Sequence, residues 1–212
     1  MSANYVKINL EDIVEKYGED RTKSILADFL CKINKDVDDF LKTKAIEFSK
    51  MGIAKTQLVY YIEDENDPIT TKRLVGYFSL TQKSINVHKN ALSKKLRGKI
   101  HRFAKFDFDT NTYSLPVILI GQLSKNYNDN NNQLIKGKDL LGLAIDSITL
   151  VQRMIGGRFI FLECEDKKKL KTFYSQNGFV EFGKRKLDGD ETNIDGTYLI
   201  QWLCYPEKSK KN

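Results

Sequence analysis

Histidine and cysteine are scarce in this chain of 212 residues, and their scarcity excludes several kinds of active site. The two histidines, His88 and His101, share one basic segment, and no G-x-S-x-G motif is present. This pattern argues against Ser-His-Asp hydrolases and histidine-rich metal sites. The three cysteines, Cys31, Cys164 and Cys204, are widely spaced and form no C-x-x-C pair. Neither a zinc ribbon nor a disulfide framework is expected, and reduced thiols fit a cytoplasmic location.

Long apolar runs are also missing. No stretch approaches the ~20 residues needed to cross a bilayer, and the N-terminus has no apolar core of a signal peptide. With 41% hydrophobic and 30% charged residues, the composition is that of a folded domain. The sequence predicts one domain over 1–206, with a helical N-terminal part over 1–52 and a disordered tail at 207–212.

The positive charge is concentrated in one segment. The chain carries 35 Lys and Arg against 28 Asp and Glu, a net charge of +7, yet residues 83–105 hold eight of the cations and no acid. The remainder, with 27 basic and 28 acidic residues, is nearly neutral. This basic insert is most simply an ordinary solvated face, and contact with an anionic partner such as RNA is the alternative.

Apolar periodicity predicts a mixed α/β domain. Three- and four-residue steps predict helices in the first fifty residues and over 136–157, and a short helix follows Asp166. Continuous β-branched and aromatic runs predict strands at 57–63, 73–82, 114–125 and 158–165, with a final strand pair at 179–187 and 196–206. The first two strands are expected to form an antiparallel hairpin.

The strand at 114–125 leads through an Asn-rich loop into a helix that begins near Gly137. Backbone N–H groups at a helix start, together with the helix dipole, attract anions, and Lys136 and Lys138 add charge there. The pattern is neither a Walker A motif nor a dinucleotide-binding motif. Because many helices begin with Gly and Lys, an ordinary helix start is the alternative to a phosphate site.

The short helix after Asp166 contains the pair Phe173-Tyr174. Helical geometry sets the two rings roughly 100° apart around the axis. The helix is therefore expected to bury Leu170 and Phe173 and to direct the Tyr174 hydroxyl elsewhere. On composition alone, Tyr174 is an aromatic of the core or its rim rather than a catalyst.

Taken in order, three stretches resemble the GNAT superfamily of acyl-CoA-dependent N-acyltransferases. They are LPVILIGQLSKN followed by IKGKDLLGLA, then RFIFLECED, then KLKTFYSQNGFVEFG. The most specific match is F-Y-S-Q-N-G-F at 173–179. The resemblance covers roughly residues 57–205 and implies a mostly antiparallel sheet flanked by helices, with a helical N-terminal region.

The resemblance also implies the site. Acetyl-CoA would be the cofactor, with the pantetheine arm along one strand and the pyrophosphate on the loop amides. Tyr174 would be the general acid, and Glu163 the best candidate for a general base, although it could be a simple exposed strand-end acid. The implied cofactor-binding residues are Gly121, Gln122, Leu123, Ser124, Lys136, Gly137, Lys138, Asp139 and Leu140.

One departure from the family concerns the pyrophosphate loop. The family pattern is [QR]-x-x-G-x-[GA], and this chain has Asn132, Ile135 and Gly137 at the three marked positions. Only the last of these positions, Gly137, matches the family pattern. The departure implies either a looser pocket or lost activity, although backbone amides do the binding and Lys136 could compensate.

Three functions follow from the resemblance. The first is an N-acetyltransferase acting on a primary amine. The second is an enzyme similar to the tRNA-acetylating toxins of the superfamily, with the basic insert on RNA. The third is a non-catalytic module that binds coenzyme A. The amine is either small or part of a macromolecule, a homodimer is an open alternative, and no metal or membrane is involved.

Overall fold

The structure, a computed structural model, describes residues 5–62, 72–188 and 198–206. The predicted tail at 207–212 lies outside these residues. The strands are β1 (Tyr5–Asn9), β2 (Lys55–Ile62), β3 (Lys72–His88), β4 (Lys105–Asp107), β5 (Thr112–Lys125), β6 (Phe159–Glu165), β7 (Val180–Lys186) and β8 (Tyr198–Cys204). The helices are α1 (Leu10–Tyr17), α2 (Glu19–Ala27), α3 (Lys35–Asp39), α4 (Ala45–Lys50), α5 (Lys94–Ile100), α6 (Gly137–Ile155) and α7 (Lys168–Gln176).

The strands form one sheet in the order β1-β2-β3-β5-β6-β8-β7, with β4 beside β5. The pairing is antiparallel for β1–β2, β2–β3, β4–β5, β6–β8 and β7–β8, and parallel for β5–β6. The prediction of a mixed, mostly antiparallel sheet flanked by helices is confirmed. Among the described residues, no helix combines the length and apolar character needed to cross a membrane.

The chain divides into two compact units. The first unit comprises residues 1–81 and 120–147, and the second comprises 82–119 and 148–212. The long elements β3, β5 and α6 each contribute residues to both units.

The first unit packs its N-terminal helices around a dense core. Fully buried side chains from the helices and from β2 and β3 form it, namely Leu10, Leu26, Phe29, Leu41, Ala45, Leu58 and Tyr77. Phe29 and Tyr77 meet edge to face with ring centroids 5.1 Å apart. The Tyr77 hydroxyl donates to the Val37 carbonyl oxygen at 2.6 Å, so this buried phenol is satisfied.

The prediction of helix from the N-terminus onward is wrong for residues 5–9. Tyr-Val-Lys-Ile-Asn forms an edge strand that pairs with β2, Tyr5 opposite Tyr61. Helix begins only where Asn9 caps it, with its side chain accepting from the Glu11 N–H at 3.1 Å. Val6 and Ile8 alternate with Lys7 and Asn9, a two-residue period that the longer helical pattern obscures.

The second unit packs β5, β6 and β8 against the segment 83–105. Its core includes Leu92, Leu96, Ile100, Phe159 and Phe161. The sequence treats the whole segment as an insert, and the structure corrects this. Residues 83–88 continue β3, and Lys94–Ile100 form α5. Ser93 caps this helix, and its hydroxyl accepts from the Leu96 N–H at 3.2 Å.

Candidate functional site

The end of β5 uses its side chains to hold the N-terminal helices. The Gln122 amide donates to Asp36 at 3.3 Å, and the buried Ser124 hydroxyl lies 3.3 Å from the Cys31 sulfur. Gly121 is exposed, and a Cβ there would lie 4.0 Å from the Ser79 carbonyl oxygen, an ordinary van der Waals contact. The predicted cofactor strand Gly121–Ser124 therefore has its polar side chains engaged, and backbone groups are what it offers to a ligand.

The loop between β5 and α6 spans residues 126–136 and turns sharply in its Asn-rich part. Asp129 and Asn130 both have positive φ, at 46° and 56°. Asn and Asp adopt this left-handed conformation more readily than other residues with a Cβ, which explains the composition of the segment. The segment Asn128–Gln133 forms short 3-10 turns that are interrupted by a kink at Asp129 and Asn130.

Three carbonyl groups of this loop accept hydrogen bonds from side chains of three different strands. Arg73 of β3 donates to the Asp129 carbonyl at 2.9 Å, and Lys125 of β5 donates to that of Asn132 at 2.9 Å. The Tyr5 hydroxyl of β1 donates to the Leu134 carbonyl at 2.7 Å. The loop is thus fixed from three sides, although nothing in its own sequence indicates these partners.

Asn126 anchors the start of the loop. Its amide group donates to the Leu74 carbonyl at 2.9 Å and to that of Asp28 at 3.4 Å. Its oxygen accepts from the N–H groups of Leu30 and Asn128, both at 3.0 Å. The residue is 1% exposed. The sequence predicts only a loop at Asn126, because most of its hydrogen-bond partners lie in segments far away along the chain.

The start of α6 leaves a row of amides open. Asp139 and Leu140 donate their N–H groups to the Lys136 carbonyl, at 3.0 and 3.1 Å. Within the described part of the chain, the N–H groups of residues 135–138 have no acceptor. Lys136 and Lys138 are exposed beside them. Four open amides at the positive end of a 19-residue helix are suited to an anion.

Two buried residues shape this helix start. Ile135, which stands where the resemblance expects glycine, is 2% exposed, so its side chain anchors the loop inside the protein. Gly76 of β3 approaches closely from the sheet. A Cβ there would lie 2.7 Å from the Ser124 carbonyl oxygen and 3.2 Å from Leu140. Leu140 is itself buried, so it packs rather than faces a ligand.

In the second unit, Tyr174 is the most buried residue of α7. The side chain is 9% exposed and contacts the rings of Phe173, Phe179 and Trp202. The expectation that Leu170 and Phe173 are buried while Tyr174 points elsewhere is wrong, because both of those residues are only half-buried. Burial raises the pKa of Tyr174 well above its ordinary value, which keeps the hydroxyl protonated.

Glu163 lies in the interior of β6 rather than at its end, and it is held in an ion pair. Arg185 of β7 donates its Nε–H toward both carboxylate oxygens at 2.9 Å, and the Gln201 amide of β8 donates to one of them at 2.9 Å. The Glu163 side chain is 11% exposed. The alternative of a simple exposed acid is therefore wrong, and its role as a base stays a prediction.

The basic segment of the second unit presents most of its cations to solvent. Leu92, Leu96 and Ile100 are buried beneath it. Within the described residues, seven of its eight cations form no ion pair, namely Lys83, Lys89, Lys94, Lys95, Arg97, Arg102 and Lys105. In the first unit, by contrast, Lys35, Lys42, Lys50 and Lys55 each contact a carboxylate.

Comparison with known proteins identifies the fold. No family model matches the chain, and no curated protein matches it. Among solved structures, AtaT complexed with acetyl-methionyl-tRNAfMet is 19% identical with a TM-score of 0.57, covering 93% of this chain and 94% of that one. A tyrosine-to-phenylalanine mutant of KacT is 16% identical with a TM-score of 0.58, covering 94% of each chain.

A third solved structure, AtaTR bound with AcCoA, is 18% identical with a TM-score of 0.52 and covers 94% of this chain and 93% of that one. The chain therefore has the GNAT-like fold of these toxin structures over nearly its whole length.

Proposed function

We propose that this protein is an acetyl-CoA-dependent N-acetyltransferase. The observation that carries the proposal is the row of open amides at residues 135–138, which lies at the start of α6 in a fold shared along its length with a structure bound to AcCoA. These amides would hold the pyrophosphate, with Lys136 and Lys138 adding charge. Backbone groups of Gly121–Ser124 would pair with the pantetheine arm.

In the proposed reaction, a neutral amine attacks the thioester carbonyl, forming the C–N bond as the C–S bond breaks. Tyr174 would stabilise the departing sulfur. Because burial keeps its hydroxyl protonated, Tyr174 can donate a hydrogen bond to the thiolate and then its proton, and the proton that the nitrogen loses on forming the amide restores the tyrosine. A tyrosine with a raised pKa does not act as the base at neutral pH, and the amine must therefore lose its proton by another route.

The ion pair of Glu163 favours an α-amine as the acceptor. An α-amino group has a pKa of about 7.7–8.0, so roughly a quarter to two-fifths is already neutral near pH 7.5. A lysine side chain, with a pKa of about 10.4, is only about 0.1% neutral and needs a base. The carboxylate of Glu163, the candidate base, already accepts hydrogen bonds from Arg185 and Gln201. This favours a substrate whose amine needs no base.

The seven cations of the basic segment that form no ion pair with any described residue favour an acceptor that carries phosphates. An aminoacyl-tRNA offers both the α-amine and the anionic backbone, and AtaT was solved with acetyl-methionyl-tRNAfMet. We therefore propose aminoacyl-tRNA as the substrate class, in preference to a free small amine.

The test is transfer of labelled acetyl groups from acetyl-CoA to a charged bulk tRNA pool, compared with a panel of free amines. Label appearing on the aminoacyl moiety is the expected result, and Tyr174→Phe should lower the rate by roughly 10²-fold or more, while the Kd of coenzyme A changes little. Transfer only to free amines would overturn the RNA substrate. Coenzyme A binding without any transfer would overturn catalysis in favour of a ligand-binding module.

A charge-matched pair of variants tests the basic segment. Lys94→Gln with Lys95→Gln should weaken tRNA binding and reduce the slope of log K against log salt by about 2. The control is Lys32→Gln with Lys44→Gln, two exposed lysines of the first unit. Equal effects of the two pairs would contradict a local RNA contact.

A further inference from the structure

The N-terminal strand β1 contacts both sides of the junction at which α6 begins. At one end, the Tyr5 hydroxyl donates to the Leu134 carbonyl at 2.7 Å, within the loop. Two residues on, Lys7 donates to the Ser147 hydroxyl at 2.7 Å and lies 3.4 Å from the Leu143 carbonyl oxygen, both in α6. Since Tyr5 and Lys7 are on the same face of a strand, β1 holds the loop and the helix together.

The Leu134 carbonyl and the Ile135 N–H belong to one peptide unit. That unit is planar and trans, so its C=O and N–H point in opposite directions. A hydrogen bond that fixes the carbonyl therefore also fixes the direction of the N–H. Ile135 provides the first of the four open amides at residues 135–138. Of the three carbonyls that side chains hold, only that of Leu134 acts on this row.

We propose that Tyr5 is a positioning residue for the phosphate-binding loop, setting the direction of the Ile135 amide through the Leu134 carbonyl. The inference rests on the proposed function for its ligand, the coenzyme A pyrophosphate. It explains how a loop with a bulky residue at 135 is ordered, because the order comes from a hydrogen bond from β1 rather than from the local sequence.

Tyr5 is well suited to this role. Its ring contacts that of Tyr61 on β2, with centroids 5.9 Å apart and planes at 58°. The two residues face each other in the β1–β2 register. Partial burial, with Asp139 nearby, raises the pKa of Tyr5, so the hydroxyl stays a donor through the physiological range.

The experiment is Tyr5→Phe, which removes one oxygen and keeps the ring. If the loss of the hydrogen bond leaves the loop correctly ordered for about a tenth to a third of the time, the apparent Kd of coenzyme A rises about three- to tenfold. The matched control is Tyr61→Phe, the residue directly opposite, whose hydroxyl has no hydrogen bond among the described residues. It should bind coenzyme A as the unsubstituted protein does.

A truncated substrate separates positioning from general damage. S-acetyl-pantetheine has the thioester but no pyrophosphate, so Tyr5→Phe should raise the KM for acetyl-CoA and leave that for S-acetyl-pantetheine unchanged. An equal loss with both substrates would overturn the inference, as would unchanged affinity for coenzyme A.

Amide hydrogen exchange tests the inference without a ligand. Tyr5→Phe should speed exchange in the peptide covering 133–138 more than Tyr61→Phe does. No difference would overturn the positioning role alone. Failure of the unsubstituted protein to bind coenzyme A would instead overturn the proposed function, and the two failures are therefore distinguishable.

Discussion

Asn126→Ala removes four hydrogen bonds at the start of the loop and is expected to be strongly destabilising. The side chain donates to carbonyls of β3 and of the segment after α2, and it accepts two backbone N–H groups. At 1% exposure, water cannot easily replace these partners.

The magnitude follows from the geometry. Three of the four hydrogen bonds are 2.9–3.0 Å long, and one, at 3.4 Å, is weak. At about 1 kcal/mol each, the three shorter ones give a loss of about 3 kcal/mol in the free energy of unfolding. With a urea m-value of about 2–3 kcal/mol/M, the midpoint should fall by about 1–1.5 M.

Urea unfolding followed by far-ultraviolet circular dichroism measures this shift. Trp202 fluorescence is unsuitable, because Trp202 lies in the second unit and Asn126 lies in the first. Asn128→Ala is the matched control, since its side chain makes a 3.4 Å contact with Asp129 at the surface and should cost under about 0.5 kcal/mol. A loss below about 1 kcal/mol for Asn126→Ala, or equal losses for both variants, would refute the reasoning.

Three further predictions concern the same fold. Gly76→Ala puts a Cβ 2.7 Å from the Ser124 carbonyl oxygen and should cost about 1–3 kcal/mol in urea unfolding, so wild-type stability would contradict the close approach. Burial raises the pKa of Cys164 and of Cys204 from 9.0 to about 11. Stability should therefore fall as pH rises between these values, because the thiols of the unfolded chain ionise first; serine at both positions should make this fall smaller. Glu163→Gln should lower stability by about 1–3 kcal/mol because it removes the carboxylate charge that faces the Arg185 Nε–H, and a lost low-pH limb in kcat/KM would show instead that Glu163 is a base.

Local patterns predict most elements because each has a clear period. The β2–β3 hairpin, β5, α6, β6, α7 and the final strand pair all lie within a few residues of their expected bounds, apart from the extension of β3 to His88. The strand at residues 5–9 is not predicted, because five residues contain too few repeats of the two-residue strand period to be recognised before the strongly amphipathic helix α1. Residues 83–88 fail because Ile85 and Val87 are the only apolar residues there and form no continuous apolar run.

The candidate site is predictable only in part. The strand–loop–helix order locates the open amides of residues 135–138, but the hydrogen bonds that orient the loop join distant positions. Tyr5 and Leu134 are 129 residues apart, and no local pattern encodes such a pair. For Tyr174, helical spacing predicts the angles between side chains around α7, but it does not predict which face of the helix packs against the sheet. Contacts with Phe179 and Trp202 decide that orientation.

The charged side chains of the two units serve different purposes, because some form ion pairs within the fold and others are available to a ligand. In the first unit, Lys35, Lys50 and Lys55 pair with carboxylates at the surface, where each pair contributes about 0–1 kcal/mol. The cations of the basic segment repel one another, and the apolar side chains beneath them hold the segment in place. Added salt screens this repulsion, so it should leave folding unchanged or strengthen it. The same salt should weaken RNA binding steeply. If added salt lowers the affinity for RNA but does not lower the stability of the folded protein, the excess positive charge serves substrate binding rather than folding.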